Sequence, residues 1–341
     1  MNAILFCSVG RRVRLLKDLR KSQKDLSIVA IDKNPFAPAL FAADRHFIPP
    51  AITDGQYIEY LLDLCQSEGI SAITTLIDPE IEILGKNRHK FIENGILPLV
   101  PTEETASICY DKYRMFEYLQ THQIPTILTY HTFENFVEGL NKGEISFPVF
   151  IKPRKGSGSI GAAKINGLNE LKQRLENAQT DYIIQPLMTG LDLDVDVYVD
   201  CLSGKPVSVF SKQKIESRAG GAIKTVSFND INLVNFVKKV ISKFEFYGPI
   251  DLDLFYVNGQ YYLSEINPRF GGGYPHAFGA GVDFFRLIVN NLNGIENIEQ
   301  IGNYEEDVMM LMYEDFIIEK KSELTQSASK LQPLTIEMNL V

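Results

Sequence analysis

Two segments of this 341-residue chain carry residue types suited to phosphate and metal. The first, KPRKGSGSIG, sets Lys152 and Lys155 around Gly156, Gly158 and Gly161, with Ser157 and Ser159 between the glycines. Glycine lets backbone N–H groups approach a polyphosphate closely, and the hydroxyls and ammonium groups add donors and positive charge. The G-x-G-x-x-G spacing alone also fits a Rossmann turn or a hairpin tip with solvated lysines. A Rossmann turn leads into a helix, whereas AAKI after Gly161 reads as a strand, and Gly167 separates it from the next helical pattern. A Walker A loop needs Lys and Ser/Thr after its last glycine, where this chain has Ala162 and Ala163. The segment therefore reads as strand, phosphate-covering loop, strand.

The second segment, IDLDLFYVNGQYYLSEINPRF, reads as a hairpin turning at Asn258-Gly259. A two-residue turn would put Asp253 and Glu265 on opposite faces. An odd-length loop brings Asp251, Asp253, Glu265 and Asn267 together, and that loop is the expectation. Carboxylate and amide oxygens on one sheet face suit magnesium, which shares its coordination sphere with nucleotide phosphates. Arg269, two residues beyond Asn267, is placed to hold a transferring phosphate, and Gly271 to Gly273 imply a crowded, shaped site.

These segments need a scaffold. Over the first hundred residues, short apolar runs (AILFC, SIVAID, SAITTLI, ILPLV) alternate with helical patterns, which predicts a parallel α/β domain over 1–105. DKYRMFEYLQ reads as a helix, and strand-rich sequence opens at FPVFIK, giving a second unit over 106–184. From Tyr182 strands dominate, an α+β pattern with a mostly antiparallel sheet over 185–300. Residues 301–341 form an extension whose polar end after Lys320 reads as a loosely packed tail.

Composition narrows the function. The first segment has its apolar stretch before its charges, unlike a signal peptide, and no run approaches the roughly 18 apolar residues of a membrane span. A cytoplasmic protein with no membrane partner is expected. The formal charge of −9 repels nucleic acid, and no basic aromatic stripe offsets it. Cys7, Cys65, Cys109 and Cys201 are far apart and read as buried reduced thiols, with no zinc spacing and no G-x-S-x-G elbow.

The combination of FPVFIKPRKGSGSIG with SEINPRFGGGYP at this separation resembles the ATP-grasp superfamily, specifically the branch similar to the large subunit of carbamoyl phosphate synthase, over about residues 1 to 295. The resemblance implies an ATP-grasp fold of mixed α/β and α+β class, behind a Rossmann-like pre-ATP-grasp domain. Carried over by position, Lys112 and Lys152 resemble the two phosphate-binding cations, and Gly156 to Gly161 the loop above the triphosphate. Gln185 and Asp192 stand where the family has its adenine and ribose acids, with Leu187 contributing backbone contacts. Asp253, Glu265 and Asn267 match the metal positions, although Asp253 replaces a glutamine common in the synthase. Arg269 matches the phosphoryl-stabilising arginine. Arg218 and Lys224 resemble a loop that reaches the reaction centre, with a solvated turn as the alternative. ATP with two magnesium ions is implied, manganese being able to substitute.

The implied reaction is ligation of a carboxylate to an amine through an acyl phosphate, releasing ADP and phosphate. Phosphorylation makes the carboxylate oxygen a leaving group while cations absorb the developing charge, so no protein nucleophile is required. Both substrates are expected to be small molecules, and a homodimer is compatible with the sequence. Arg11 and Arg12 after the first strand are candidates for binding the acid, Asp78 and Glu80 for the amine, and His276 for either; each acid also reads as a helix-terminal charge. The competing readings are a carboxylate or carbamate phosphotransferase and a non-catalytic ATP sensor. A dinucleotide dehydrogenase ranks last, because SVGRRVRLL lacks the glycine spacing.

Overall fold

The computed structural model describes residues 2–156, 158, 160–218, 221–318 and 320. Ser157, Ser159 and the segment after Lys320 lie outside the described residues. Short, almost wholly apolar strands can be buried on both faces, which favours a parallel sheet covered by helices. β1 (Ala3–Cys7), β2 (Ser27–Ile31), β3 (Arg45–Phe47), β4 (Ile70–Thr75) and β5 (Leu97–Pro98) pair in parallel in the order β3-β2-β1-β4-β5. The order reverses between β1 and β4, and crevices at such switch points, beyond the strand C-termini, are where open parallel sheets bind ligands. Arg11 and Arg12 follow β1, and the helix Asp78–Lys86 follows β4. Gly10, at φ +50°, turns the chain here while its N–H donates to Asp32 Oδ2 at 2.7 Å.

β6 (Val149–Pro153), β7 (Ala163–Ile165) and β8 (Tyr182–Pro186) form an antiparallel sheet in the order β7-β6-β8. The glycine loop thus joins two neighbouring strands, as the AAKI pattern predicts.

β9 (Leu191–Val199), β10 (Pro206–Arg218), β11 (Gly221–Phe228), β12 (Gly248–Val257), β13 (Gln260–Asn267) and β14 (Met309–Leu311) build an antiparallel sheet ordered β13-β12-β9-β10-β11-β14. Alternation sorts its faces. Leu193, Val195, Val197, Leu252 and Leu254 enter a core with Leu233, Val234 and Val237 of the helix Ile231–Ile241. The intervening residues are charged, and pairing aligns them across strands: Asp194 opposite Asp253 and Lys212, Asp196 opposite Asp251.

The hairpin corrects one expectation. Val257 pairs with Gln260, so the loop has two residues, Asn258 and Gly259, at φ +50° and +82°. Asn-Gly takes these left-handed dihedrals readily, and the resulting turn matches strand twist. A register shift between the Leu254–Leu263 and Asp253–Glu265 pairs leaves Ser264 as the extra residue of a β-bulge. The bulge, rather than an odd loop, sets Asp253 opposite Glu265 and Asp251 opposite Asn267. Gly259→Val, which forces a branched side chain into that left-handed position, is expected to cost about 1–2 kcal/mol in urea denaturation without changing nucleotide affinity.

Past β13 the chain returns to the parallel domain. Phe270, Tyr274, Phe284 and Phe285 share one core with Phe6, Leu15, Leu16 and Leu19, which anchors the Gly271–Gly273 segment against the β1 end. Cys7 and Cys65 are buried; Cys109 and Cys201 are only half-buried, and all four are free.

Candidate active site

The charged face of the large sheet meets the ends of β1 and β4 on one side and β6 on the other. Lys152 Nζ, from β6, lies 2.7 Å from Glu265 Oε1. Lys112 Nζ lies 4.0 Å from the same oxygen and donates to the Gly156 carbonyl at 2.6 Å. Lys112 is placed by a cap: Asp111 accepts from the Tyr113 and Arg114 N–H groups at the start of the helix Lys112–Thr121. Arg154, just beyond β6, donates to Asp111 at 2.7 Å, and its carbonyl accepts from the Lys112 N–H at 3.1 Å. One clamp therefore brings both lysines to one carboxylate. Burial pushes Glu265 up, but Lys152 and Lys112 outweigh it and hold the carboxyl below its ordinary value. Burial dominates at Lys112 and lowers its pKa.

Arg269 is buried and reaches back to the parallel domain, donating from Nε to Asp78 Oδ1 at 2.7 Å and from Nη2 to Oδ2 at 3.3 Å. Its Nη1 is 3.5 Å from Asp251 Oδ2. Burial would lower its pKa, but Asp78 and Asp251 raise it, so the guanidinium is a fixed cation. Asn267 Nδ2 stands 3.4 Å from carboxylate oxygens of both Asp251 and Asp253. A cleft between the domains' charged ends is lined by Asp78, Lys112, Gly156, Glu265, Asn267 and Pro268 among others.

Four residues of this face were not singled out from sequence. Lys212, fully buried, pairs with Asp196 and lies 2.9 Å from Asp194. Lys214 pairs with Asp253 and lies 3.0 Å from Asp192. Burial, then Asp194 and Asp253, raise Asp251 well above its ordinary value; at Asp196 burial, helped by Asp194, outweighs Lys212 and raises the carboxyl to about 6. The alternations D-x-D-x-D at 192–196 and K-x-K at 212–214 were the available signal. The glycine segment lies directly on this network. A Cβ at Gly271 would stand 2.7 Å from Asp251 Oδ1, and one at Gly273 2.9 Å from Lys212 Cε.

Gln185 is buried, and its amide nitrogen donates to Thr129 at 2.8 Å; Oε1 is then the end left to accept. The Leu187 N–H reaches the Pro148 carbonyl at 3.4 Å. Gly158 and Gly161 adopt φ +72° and +81°. Arg12 lies against the glycine segment, with Nη1 3.3 Å from where a Cβ of Gly272 would be. Desolvation and then Arg269 hold its pKa down to about 10.

Other candidates are not brought into this cluster. Arg11 is exposed. Glu80 is wholly buried, accepting from the Tyr57 and Thr75 hydroxyls inside the parallel domain, where burial raises its pKa. His276 is buried; its Nε2 donates to the Val308 carbonyl at 2.9 Å and its Nδ1 accepts from Thr225 at 2.7 Å. Burial, then Lys212, lower its pKa to about 4, so it is a neutral structural tie. Arg218 and Lys224 sit toward the outer end of β10 and β11, facing Glu314 at 4.0 Å and Glu216 at 2.6 Å, and touch none of the cluster among the described residues.

Asp253, Glu265 and Asn267 offer the oxygen donors that a hard divalent cation takes. Glu265 has two ammonium groups beside it that phosphate would also attract. The donor set therefore fits a magnesium nucleotide.

Residues 4–99 match the PylC-like N-terminal domain and residues 109–273 the ATP-grasp domain. The chain is 27% identical over 185 residues to a D-alanine–D-alanine ligase from Francisella philomiragia subsp. philomiragia, covering 51% of this chain and 61% of that one. It is 21% identical over 255 residues to the carbamoyl phosphate synthase arginine-specific large chain of Geobacillus stearothermophilus, covering 71% of this chain and 24% of that one. The chain thus spans about three fifths of the length of the first relative and a quarter of the second. In fold it is similar to N5-carboxyaminoimidazole synthetase from Staphylococcus aureus complexed with ADP, with TM-score 0.70 and 16% identity over 88% of this chain and 79% of that one. No described helix is long and apolar enough to cross a membrane. On the two domain matches, the shared fold and the two charged segments at their expected separation, the chain belongs to the ATP-grasp superfamily.

Proposed function

We propose that this protein is an ATP- and magnesium-dependent carboxylate–amine ligase that forms an amide or peptide-like bond through an acyl phosphate, releasing ADP and phosphate. The observation that carries the reading is the meeting at Glu265 of Lys152, at 2.7 Å, and Lys112, at 4.0 Å, beside Asp253, Asn267 and the buried Arg269. Cations from β6 and the capped helix face oxygen donors of the large sheet, as binding of a polyphosphate between them requires.

Magnesium, held by Glu265 and Asn267, would polarise the γ-phosphoryl group when bound, and manganese is expected to substitute. Lys112 and Lys152 bind phosphate oxygens, Gln185 accepts from the adenine amine, and Asp192 takes the ribose. Leu187 lends its backbone, and the Gly156–Gly161 loop, with Ser157 and Ser159, excludes water. Arg12 holds the substrate carboxylate at the switch point. Arg269 stabilises the transferring phosphoryl group and the oxyanion formed when the amine attacks. Arg218 and Lys224 are assigned to this centre only through resemblance, and their exposure supports it least. The same reading divides the chain at 1–105, 106–184, 185–300 and 301–341.

Lys152→Ala is expected to weaken ATP binding about tenfold, the order of one lost charge-assisted contact, by calorimetry. The proposal is tested by ADP and phosphate release with magnesium ATP across a matrix of carboxylic acids and amines, with mass spectrometry of each active mixture. Release needing both partners, with a condensed mass, is expected. Release with acid alone would make the protein a phosphotransferase; nucleotide binding with silence throughout would favour a sensor. Size-exclusion chromatography would report the homodimer that this reading accommodates.

A further inference from the structure

The charges around the metal positions are unequal. At Glu265 two ammonium groups, Lys152 and Lys112, face one carboxylate, so this corner has positive charge to spare for phosphate. At Lys214 the balance is reversed: one ammonium lies between the carboxylates of Asp253 and Asp192, and Lys214 is the less exposed partner in each pair. The carriers differ too. Lys152 lies on the small sheet and Lys112 on a helix, whereas Lys214 shares the large sheet with both its partners, on β10 beside β9 and one strand removed from β12. Arrival of phosphate gives Lys152 and Lys112 a new partner at little loss to Glu265. Departure of Lys214 would strand two acids that already stand beside Asp194.

A divalent ion on Asp253 would have to share that carboxylate with an ammonium already in contact with it, and like charges at such range repel strongly. We propose that Lys214 stands in for a second divalent cation: in the nucleotide complex Glu265 and Asn267 hold a single ion while Asp253 remains with Lys214. This departs from the two ions that resemblance implies, and it rests on the ATP reading above. In it, the aspartate that replaces the family glutamine is paired with a lysine from the next strand but one, so its charge is met without a second ion.

The test counts manganese by electron paramagnetic resonance against bound nucleotide, at saturating non-hydrolysable ATP analogue. The unaltered protein is expected to hold one manganese per nucleotide, Lys214→Arg also one, and Lys214→Met two, because Asp253 is then released. Two ions in the unaltered protein would overturn the proposal and leave the ATP reading standing. One ion in a folded Lys214→Met would also overturn it, since the freed aspartate would not be a metal position. Should Lys214→Met not fold, the counts for the unaltered protein and Lys214→Arg decide. Absence of nucleotide binding in the unaltered protein would overturn both readings.

Discussion

Glu265→Gln is expected to lower ATP-dependent turnover by about 10³-fold, the scale of losing a charged group at a phosphoryl-transfer centre, while leaving the fold intact. The amide keeps the shape and one acceptor oxygen but removes the charge shared by Lys152 and Lys112. Without nucleotide, two ammonium groups then face each other across an uncharged side chain, so the free protein should melt at a lower temperature. With nucleotide the phosphates neutralise the lysines, and most of that difference should disappear. A coupled ADP assay with thermal melts at both nucleotide states checks this. Full activity in Glu265→Gln would remove the metal assignment, and a melting loss that persists with nucleotide would contradict the charge account.

Arg269→Met is expected to fail in two ways at once. Its guanidinium forms a two-bond pair with Asp78 from the parallel domain and approaches Asp251 on the large sheet. Removing one partner of such a buried pair leaves an uncompensated carboxylate, a loss of about 3 kcal/mol. Turnover should fall by about 10²-fold or more, because the same group stabilises phosphoryl transfer. Arg269→Lys separates the effects: an ammonium keeps the charge but not the planar fork, so much of the stability should return while turnover stays low. Urea denaturation and initial rates of both variants measure this; wild-type rates in Arg269→Lys would make the residue structural only.

How far the site can be read from sequence depends on which forces set each part. The glycine loop is legible because AAKI after Gly161 excludes the helix that a dinucleotide turn needs. The clustering of Asp251, Asp253, Glu265 and Asn267 is legible as chemistry, yet the device that achieves it is not. Ser264 bulges without a residue signature, and the Asn-Gly turn fixes a two-residue loop on local dihedral grounds. Lys212 and Lys214 are invisible for another reason. Their partners lie on β9 and β12, and only the sheet order, set by long-range packing, puts β9 between β10 and β12. Glu80 reads as a first-turn helix charge until the Thr75 hydroxyl at the end of β4 and the Tyr57 hydroxyl, 23 positions away, enclose it. Asp78, two residues earlier, has the same local pattern but meets Arg269 from 191 positions away. Local pattern cannot separate the two.

The most direct measurement of the ligase account follows the substrate oxygen. Carboxylic acids carrying ¹⁸O in both carboxyl oxygens are incubated with the protein, magnesium ATP and an amine panel, and released phosphate is analysed by mass spectrometry. Attack of the carboxylate on the γ-phosphoryl group, then displacement by the amine, predicts one ¹⁸O in each released phosphate, matched by a condensed product. Unlabelled phosphate formed at the rate of ADP would mean that no acyl phosphate is made, and would contradict the account.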